Sequence, residues 1–275
     1  MHPLTDWPLA ARARITGVFT DIDDTLTTDG AITPDALAAL DTLRAAGVAV
    51  IAITGRPVGW SEPFAQSWPV NAIVAENGAV LLHLLRQNSA LPAHSLPSTL
   101  SKSYQQDAST RRTNLARLQR AAARVLREVP GTTLAQDSPG RETDIAIDHS
   151  ELAQLSPAQI DAVLHLLHSE GLHATVSSIH INAWVGDHDK LTGAHWAVKT
   201  LLGRDLELEM DHWVFVGDST NDQRMFEAFA HSVGVANVRR FEAQLAGLNR
   251  LPRYITHGER GAGFAEVARA LLAAR

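Results

Sequence analysis

The sequence predicts an α/β fold in which a parallel sheet is interrupted by an inserted α+β domain. Near both ends of the chain, short apolar segments alternate with amphipathic ones, the pattern of parallel strands joined by right-handed helical crossovers. Several apolar segments end directly at acidic or hydroxyl residues, and open α/β sheets bind ligands at the carboxyl ends of their strands. In the middle of the chain, apolar and polar residues alternate instead, which is typical of antiparallel strands.

The first half of the parallel sheet is predicted from three apolar segments. Residues 15–20 are apolar and rich in β-branched side chains, and they lead into Asp21. A helix is expected next, with Thr33 as its N-cap and Pro34 at its first position. The two strands that follow are expected at residues 48–53 and 72–75.

The second half of the sheet is predicted near the C-terminus. An apolar strand at residues 213–216 leads towards Asp218, and a helix is expected after it as far as Phe229. The remaining elements are expected to be strands at residues 232–235 and 253–256 and a helix at residues 262–273. Because neighbouring parallel strands end at the same edge of a sheet, we expect Asp21, Thr54 and Asp218 to converge.

The middle of the chain is predicted to be an insert, residues 80–186, between core segments 1–79 and 187–275. Its residues 86–110 are polar and lack periodicity, so they are predicted to form a long loop. The elements expected after this loop are a basic helix at 114–129, a strand at 143–148, a helix opened by Ser156-Pro157, and strands at 172–176 and 179–185. The alternation within these strands predicts a half-exposed antiparallel sheet.

Composition excludes several classes of protein. A length of 275 residues suits one large domain or two modest ones, and 45% hydrophobic with 20% charged residues is typical of a globular protein rather than a disordered one. A net charge of −6 argues against nucleic-acid partners and a polybasic membrane patch. The absence of cysteine excludes disulfides and a thiol nucleophile. No long apolar run and no signal-peptide pattern is seen, so a soluble, cytoplasmic protein is expected.

The segment Asp21-Ile22-Asp23-Asp24-Thr25 has the residue types needed for phosphoryl transfer. A carboxylate at a strand end can attack phosphorus, and a second one two residues later can protonate the leaving oxygen. Crowded carboxylates are costly without a cation, and Mg²⁺ is a natural partner for their oxygens. The alternative is a solvated acidic turn.

Three other segments suit the same chemistry, although each has an ordinary structural explanation. Asp218 and Asp222 can hold a hard cation, or they can cap and begin a helix. Thr54 and the backbone after it can bind a phosphoryl oxygen, or they can form a plain strand-to-helix turn. Lys190 can neutralise a transferring phosphoryl group, or it can be solvated like most lysines.

In combination and in this order, these segments resemble the haloacid dehalogenase-like (HAD) hydrolases. Asp21-x-Asp23-x-Thr25 is similar to the first family motif, Thr54 to the second, Lys190 to the third and Gly217-Asp218-Ser219-x-Asn221-Asp222 to the fourth. The resemblance implies a Rossmann-like core with an inserted α+β cap. It also implies that Asp21 is the nucleophile, that Asp23 is the general acid and base, and that Thr54 and Lys190 position the phosphoryl group. The implied ligands of Mg²⁺ are Asp21, the backbone carbonyl of Asp23, and Asp218, with Asp222 in support.

The position of the insert is similar to that of the type-IIB cap of sugar-phosphate phosphatases and phosphomannomutases, because it lies between the second and third motifs. Glu76-Asn77-Gly78-Ala79 and Asp189-Lys190 also resemble that group, whereas many relatives have glycine where Leu191 follows the lysine. The residues expected to bind substrate are Gly55, Arg56, Asn77 and Asn221 of the core and Arg141, Glu142, His180 and Asn182 of the insert. The four insert residues can instead be ordinary sheet-face or surface residues.

These observations predict a Mg²⁺-dependent phosphatase that acts on a small phosphorylated sugar or related metabolite through an aspartyl-phosphate. Two alternatives stay open at this stage. A phosphomutase would return the phosphoryl group to the sugar, and a sugar-phosphate sensor would bind without turnover. The expected partner is a small-molecule phosphate ester, and the expected assembly is a monomer or a small homo-oligomer.

Overall fold

A computed structural model of the chain describes residues 1–85 and 99–275. Within them the strands, in chain order, are β1 (His2–Pro3), β2 (Gly17–Thr20), β3 (Thr27–Thr28), β4 (Ala31–Ile32), β5 (Ala49–Ile53), β6 (Ala72–Ala75), β7 (Val80–Leu85), β8 (Thr99–Tyr104), β9 (Thr133–Leu134), β10 (Asp144–Asp148), β11 (His173–Val176), β12 (His180–Trp184), β13 (Trp213–Gly217), β14 (Ser232–Gly234) and β15 (Tyr254–Ile255).

The helices of the described residues are α1 (Leu9–Arg12), α2 (Pro34–Ala45), α3 (Val58–Ser67), α4 (Ala108–Glu128), α5 (Pro157–Ser169), α6 (Lys190–Leu202), α7 (Gln223–Ala228), α8 (Glu242–Gly247) and α9 (Arg260–Leu272). The predicted helix starts are confirmed at two places. Thr33 accepts a hydrogen bond from the backbone of α2, and Ser156 forms a reciprocal capping box at the start of α5. None of these helices is both long and apolar enough to cross a bilayer.

The central sheet confirms the predicted α/β fold. Its strand order is β1-β15-β14-β13-β2-β5-β6-β7-β8, and all neighbours from β1 to β6 are parallel. Strand β13 pairs with β2, and β2 pairs with β5, so the three strands that precede the predicted motifs are direct neighbours. Their carboxyl ends therefore lie side by side, as the sequence predicts.

The core of this domain lies on both faces of the sheet. Along β2, Val18 packs with the apolar side chains of α2, α3 and α9, whereas Phe19 packs on the opposite face with α6 and α7. All of these strand side chains are buried, which is why the segments are apolar without alternation. The helices cover the sheet on both sides and leave its carboxyl edge as the place where polar groups collect.

A second sheet of four antiparallel strands, in the order β11-β12-β10-β9, lies between β8 and α6 in the chain. We call the elements from α4 to β12 the cap. One face of the cap sheet packs against α4 and α5 through residues such as Ile147 and Ile181. The other face carries polar residues, among them Asp144, His180 and Asn182, which are buried on the central strands β10 and β12, whereas the edge strands β9 and β11 have exposed or half-buried residues. The expectation of a half-exposed sheet is therefore wrong for the two central strands, where core groups such as the Gly55 carbonyl contact the polar face.

The structure also differs from the sequence expectation at the start of the insert. Strands β7 and β8, at residues 80–85 and 99–104, continue the central sheet in antiparallel fashion instead of belonging to the cap sheet. Residues 99–110 are therefore not a loop, because they contain β8 and the start of α4. The polar segment of β8 pairs at a sheet edge, where alternating or apolar patterning is not required. The rest of the predicted loop, residues 86–98, lies outside the described residues.

Candidate active site

Three acidic side chains meet at the carboxyl edge of the central sheet. Asp21 follows β2, Asp218 follows β13, and Asp222 lies four residues later in the turn that leads to α7. One carboxylate oxygen of each lies within 4.8 Å of the others, and all three side chains are buried. Burial raises the pKa of Asp21 from 3.8 to about 7, and it raises the pKa of Asp218 well above 3.8. The cluster therefore carries an excess of desolvated negative charge.

Lys190 is the one cation in direct contact with this cluster among the described residues. It begins α6, where Asp189 caps the helix, and its Nζ donates to Asp21 Oδ1 at 2.9 Å and to Asp222 Oδ1 at 2.7 Å. Burial opposes the charge on Lys190, but the attraction of the two carboxylates prevails and raises the pKa of the ammonium. In the described part of the chain, Asp21 Oδ2 accepts no hydrogen bond, so the second oxygen of this carboxylate is available for chemistry.

The turn that carries Asp218 and Asp222 has the capping role that the sequence offered, and its carboxylates also belong to the acidic cluster. Asp222 Oδ2 accepts hydrogen bonds from the backbone N–H groups of Asp218 at 2.9 Å and Ser219 at 3.3 Å, which fixes the turn as a helix cap would. Asp222 Oδ1 meanwhile faces Lys190. The carboxylate of Asp218 accepts from Asn237 Nδ2 at 3.2 Å. Sequence analysis missed Asn237, although its position just after β14 is a signal of the same kind as the others.

Thr54 and Gly55 form the tight turn after β5. Thr54 is fully buried, and its Oγ1 accepts a hydrogen bond from the backbone N–H of Arg56 at 3.0 Å. The carbonyl of Gly55 accepts from Asn182 Nδ2 of the cap at 3.2 Å. A Cβ at position 55 would lie 3.1 Å from Asn182 Oδ1 of the cap and 3.2 Å from Asn77 Oδ1 of the core, so a larger residue here would press against both asparagines.

Asp23 points towards the cap and is bound by Arg56. The Nε of Arg56 lies 3.1 Å from Asp23 Oδ1 and 3.0 Å from Oδ2, and Nη2 lies 3.0 Å from Oδ1. The carboxylate of Asp23 is therefore not one of the three that could surround a cation.

Most of the predicted substrate-binding residues are brought to this edge, but several of them are engaged with other protein groups. Arg141 is bound to Asp144 at 2.8 Å and to the carbonyl of Gly55 at 3.0 Å, and His180 shares a hydrogen bond of 2.8 Å with Glu151. Burial raises the pKa of Asp144 to about 7 despite its contact with Arg141.

Asn182, Asn77 and Asn221 also line the space around the nucleophile or lie next to it. Glu142 is not brought to the site. Its carboxylate faces Lys102 at 3.2 Å and the hydroxyl of Tyr104 at 2.6 Å, both on β8. Sequence spacing could not show this, because β8 was predicted as part of a loop.

The space directly above the nucleophile is nearly closed. A cavity of about 10 Å³ lies between Asp21 and Asp23 on the core side and residues such as Ser178 and Asn182 on the cap side. Next to it, beyond Asp23, a cleft of about 500 Å³ opens between the core and the cap. The two spaces share Asp23, Arg56, Ser178 and Ile179, so the cleft begins where the small cavity ends.

The sequence from residue 18 to residue 178 matches the family model for haloacid dehalogenase-like hydrolases, which is more than half of the chain. The chain belongs to the haloacid dehalogenase-like hydrolases. A second family model, for sucrose-6F-phosphate phosphohydrolase, matches residues 152–268. A comparison with curated protein sequences finds no match.

Several solved structures have the same fold. A protein of Thermoplasma acidophilum aligns with a TM-score of 0.69 at 15% identity, over 94% of this chain and 98% of that one. The sucrose-phosphatase of Synechocystis, solved with sucrose and phosphate, aligns with a TM-score of 0.62 at 17% identity, over 93% and 97%. A haloacid dehalogenase-like hydrolase of Bacteroides thetaiotaomicron aligns with a TM-score of 0.61 at 15% identity, over 93% and 98%.

The predicted membership of the HAD superfamily, with a capped core, is confirmed by these matches. The prediction of an enzyme is confirmed as well, since the matching family is one of hydrolases. In this HAD hydrolase the acidic cluster also fits a divalent cation. Three buried carboxylates within 4.8 Å of one another have one ammonium between them, and hard oxygen ligands of this kind suit Mg²⁺.

Proposed function

We propose that this chain is a Mg²⁺-dependent phosphatase that hydrolyses a small phosphorylated sugar through an aspartyl-phosphate on Asp21. The observation that carries the proposal is the environment of Asp21. Lys190 holds Oδ1 of its carboxylate at 2.9 Å, Oδ2 accepts no hydrogen bond from the described residues, and Asp21 lines the small cavity below the cap. This arrangement suits a carboxylate nucleophile, because one oxygen is fixed and the other is free to attack.

The acidic residues would hold the metal, with Asp21 and Asp218 as ligands, the backbone carbonyl of Asp23 beside them and Asp222 in support. Bound there, Mg²⁺ would offset the negative charge of the phosphoryl oxygens. Lys190 has the same electrostatic effect from the protein side, because its ammonium lies between Asp21 and Asp222.

The reaction then has two steps. Asp21 Oδ2 attacks phosphorus, the bond from phosphorus to the sugar oxygen breaks, and Asp23 transfers a proton to that oxygen. Water then attacks the phosphorus of the aspartyl-phosphate while Asp23 takes up a proton from it. The bond between phosphorus and Asp21 breaks, and orthophosphate leaves. The nearly closed cavity favours this course because it limits the access of bulk water to the first step.

The size and lining of the cleft beyond Asp23 support a sugar as the leaving group. Its volume of about 500 Å³ is in the range of small-ligand sites. Its walls include the hydroxyl-bearing residues Ser150 and Ser178 together with Arg240, which suit a hydroxylated ligand. The similarity of residues 152–268 to sucrose-6F-phosphate phosphohydrolase points in the same direction, because this part of the chain includes α5, β11 and β12 of the cap.

The test is phosphate release from a panel of hexose and disaccharide phosphates, with Mg²⁺ and with EDTA. We expect Asp21→Asn to lose at least about 1,000-fold in kcat, because an amide oxygen is a poor nucleophile. Asp41→Asn, which changes an exposed aspartate of α2, is the matched control and should keep wild-type activity. Full activity of Asp21→Asn would refute the nucleophile. Isomer formation without phosphate release would favour a phosphomutase, and failure to turn over any ester would favour a sensor.

A further inference from the structure

The guanidinium of Arg56 connects Asp23 to two carboxylates of the cap. Nη1 donates to Asp137 Oδ2 at 3.1 Å, and Nη2 donates to Glu151 Oε1 at 3.1 Å, in addition to the contacts with Asp23. The Arg56 side chain is only 6% exposed, and its guanidinium carbon lies 5.2 Å from the centre of the Trp60 ring. The buried cation of Arg56 therefore joins a core carboxylate to two cap carboxylates, which lie 81 and 95 residues after Arg56 in the chain.

The two cap carboxylates are themselves held in place. Asp137 Oδ1 accepts from Arg141 Nη2 at 3.0 Å, and Glu151 Oε2 shares a hydrogen bond of 2.8 Å with His180. This hydrogen bond and the charge of Arg56 lower the pKa of Glu151 to about 2, so Glu151 is a carboxylate at every working pH. Both partners of Arg56 in the cap are thus fixed acceptors rather than mobile surface groups.

This bonding leaves Arg56 little capacity for substrate. A guanidinium has five N–H donors in one rigid plane. Asp23 uses the Nε donor and one Nη2 donor, Glu151 uses the other Nη2 donor, and Asp137 uses one Nη1 donor. One N–H remains. Because the plane is rigid, the two cap carboxylates determine its orientation, and that orientation determines where the carboxylate of Asp23 lies.

We propose that Arg56 is a positioning residue that makes the orientation of Asp23 depend on Asp137 and Glu151 of the cap. The inference rests on the proposed function, in which Asp23 protonates the leaving oxygen. When the cap is seated on the core, Arg56 has all three carboxylate partners and Asp23 is held beside the leaving-group cleft. When the cap is displaced, two of the three partners leave with it, and the carboxylate of Asp23 is no longer oriented.

The experiment compares two phosphate esters that differ in their need for an acid. Departure of an alcohol from glycerol 2-phosphate needs a proton, whereas departure of nitrophenolate from p-nitrophenyl phosphate needs almost none. The value of kcat/KM covers the steps up to the departure of the leaving group, so it reports on the donation of this proton and not on the later attack of water. Asp23→Asn sets the scale, since it removes the acid itself.

We expect Glu151→Gln and Asp137→Asn, assayed with Mg²⁺, to lower kcat/KM for glycerol 2-phosphate by about 10- to 100-fold. A general acid typically accelerates a reaction by about 10²- to 10⁴-fold, and a misplaced Asp23 would lose only part of that acceleration. The value of kcat/KM for p-nitrophenyl phosphate should change by less than about 3-fold. Arg56→Lys should behave like the cap variants, because an ammonium cannot form the planar, two-pronged contact of a guanidinium with a carboxylate. Glu128→Gln is the matched control, because Glu128 is a cap glutamate whose ion pair stays within one helix. Its Oε1 lies 3.1 Å from Nε of Arg124, which is also on α4.

The outcomes separate the inference from the proposed function. Equal losses of kcat/KM on both esters would mean that the network binds substrate or holds the fold, and this result would overturn the inference while leaving a phosphatase. No hydrolysis of either ester by the wild-type chain would refute the proposed function and the inference with it. A loss confined to the ester with the poor leaving group, shared by Asp23→Asn and the cap variants, would support both.

Discussion

Replacement of Lys190 by methionine tests whether the acidic cluster needs a cation. The ammonium of Lys190 is buried and donates to Asp21 at 2.9 Å and to Asp222 at 2.7 Å. Methionine keeps most of the length and volume of the side chain but removes the charge. In Lys190→Met, three buried carboxylates would remain within 4.8 Å of one another, without the ammonium that now separates them.

The size of the effect follows from this geometry. Removal of one partner from a buried ion pair costs about 3 to 5 kcal/mol, because the remaining charge is left desolvated. Here two carboxylates lose the same partner, but Asp21, whose pKa burial has already raised to about 7, can take up a proton and limit the loss. We therefore expect the free energy of unfolding to fall by about 3 to 5 kcal/mol at pH 7.5 in EDTA. The deficit should shrink at pH 5.5, because protonation of the raised-pKa carboxyls removes their repulsion.

Urea unfolding followed by circular dichroism measures this loss, with Lys199→Met as the matched control. Lys199 lies on the same helix, α6, and is exposed, so its replacement should change stability by less than about 0.5 kcal/mol. Mg²⁺ should stabilise Lys190→Met more than the wild-type chain, because a bound cation replaces the missing charge; a concentration 100 times Kd contributes about 2.7 kcal/mol. Identical urea midpoints for the two variants in EDTA at pH 7.5 would refute the reasoning.

Three further predictions concern stability, measured by urea unfolding. Burial lowers the pKa of His188 from 6.5 to about 4, so the unfolded chain binds a proton at a higher pH than the folded chain does. Between pH 7 and pH 5, the free energy of unfolding of the wild-type chain should therefore fall by about 2 kcal/mol more than that of His188→Gln. Equal decreases in the two proteins would contradict this. Gly17→Ala should lower the free energy of unfolding by about 1 to 3 kcal/mol, because the new Cβ would lie 2.2 Å from the ring of Trp213. The control Gly247→Ala should be neutral, because nothing lies within 4 Å of its Cβ. Similar urea midpoints for the two variants would refute the packing argument. Glu76→Gln should lower the free energy of unfolding by about 3 kcal/mol. Both oxygens of this buried carboxylate accept backbone hydrogen bonds, from α3 and from the cap, whereas an amide can accept at one atom only. An unchanged urea midpoint would show that these hydrogen bonds contribute little to stability.

Much of the fold was predictable because its signals are local. The strands of the parallel sheet are covered on both faces, so they appear in the sequence as short apolar runs, and the observed bounds of β2, β5, β6 and β13 agree with the predicted ones within two residues. The convergence of Asp21, Thr54 and Asp218 followed from a general rule for strand ends in parallel sheets. Strand β8 was missed because an edge strand with polar residues has no local signal that separates it from a loop.

The partners of the charged residues were not predictable in the same way. Arg56 and Glu142 were both expected to bind substrate, yet Arg56 is bound by three carboxylates and Glu142 faces β8. Asn237 and Glu151 were not singled out at all. Ion pairs form between side chains that are distant in the chain, and no spacing rule relates them until the cap is placed on the core.

The sequence by itself determined the α/β class, the main strands of the parallel sheet, and the set of acids and the lysine at the ends of the sheet, because hydrophobic periodicity and strand-end chemistry depend only on neighbouring residues. The tertiary structure decided which of those groups are free. Within residues 1–85 and 99–275, it left one oxygen of Asp21 without a hydrogen bond, occupied nearly every donor of Arg56, and buried the two central strands of the cap sheet. The physical reason is that desolvation and charge pairing depend on what packs above each side chain, and here that is a domain inserted between the second and third motifs.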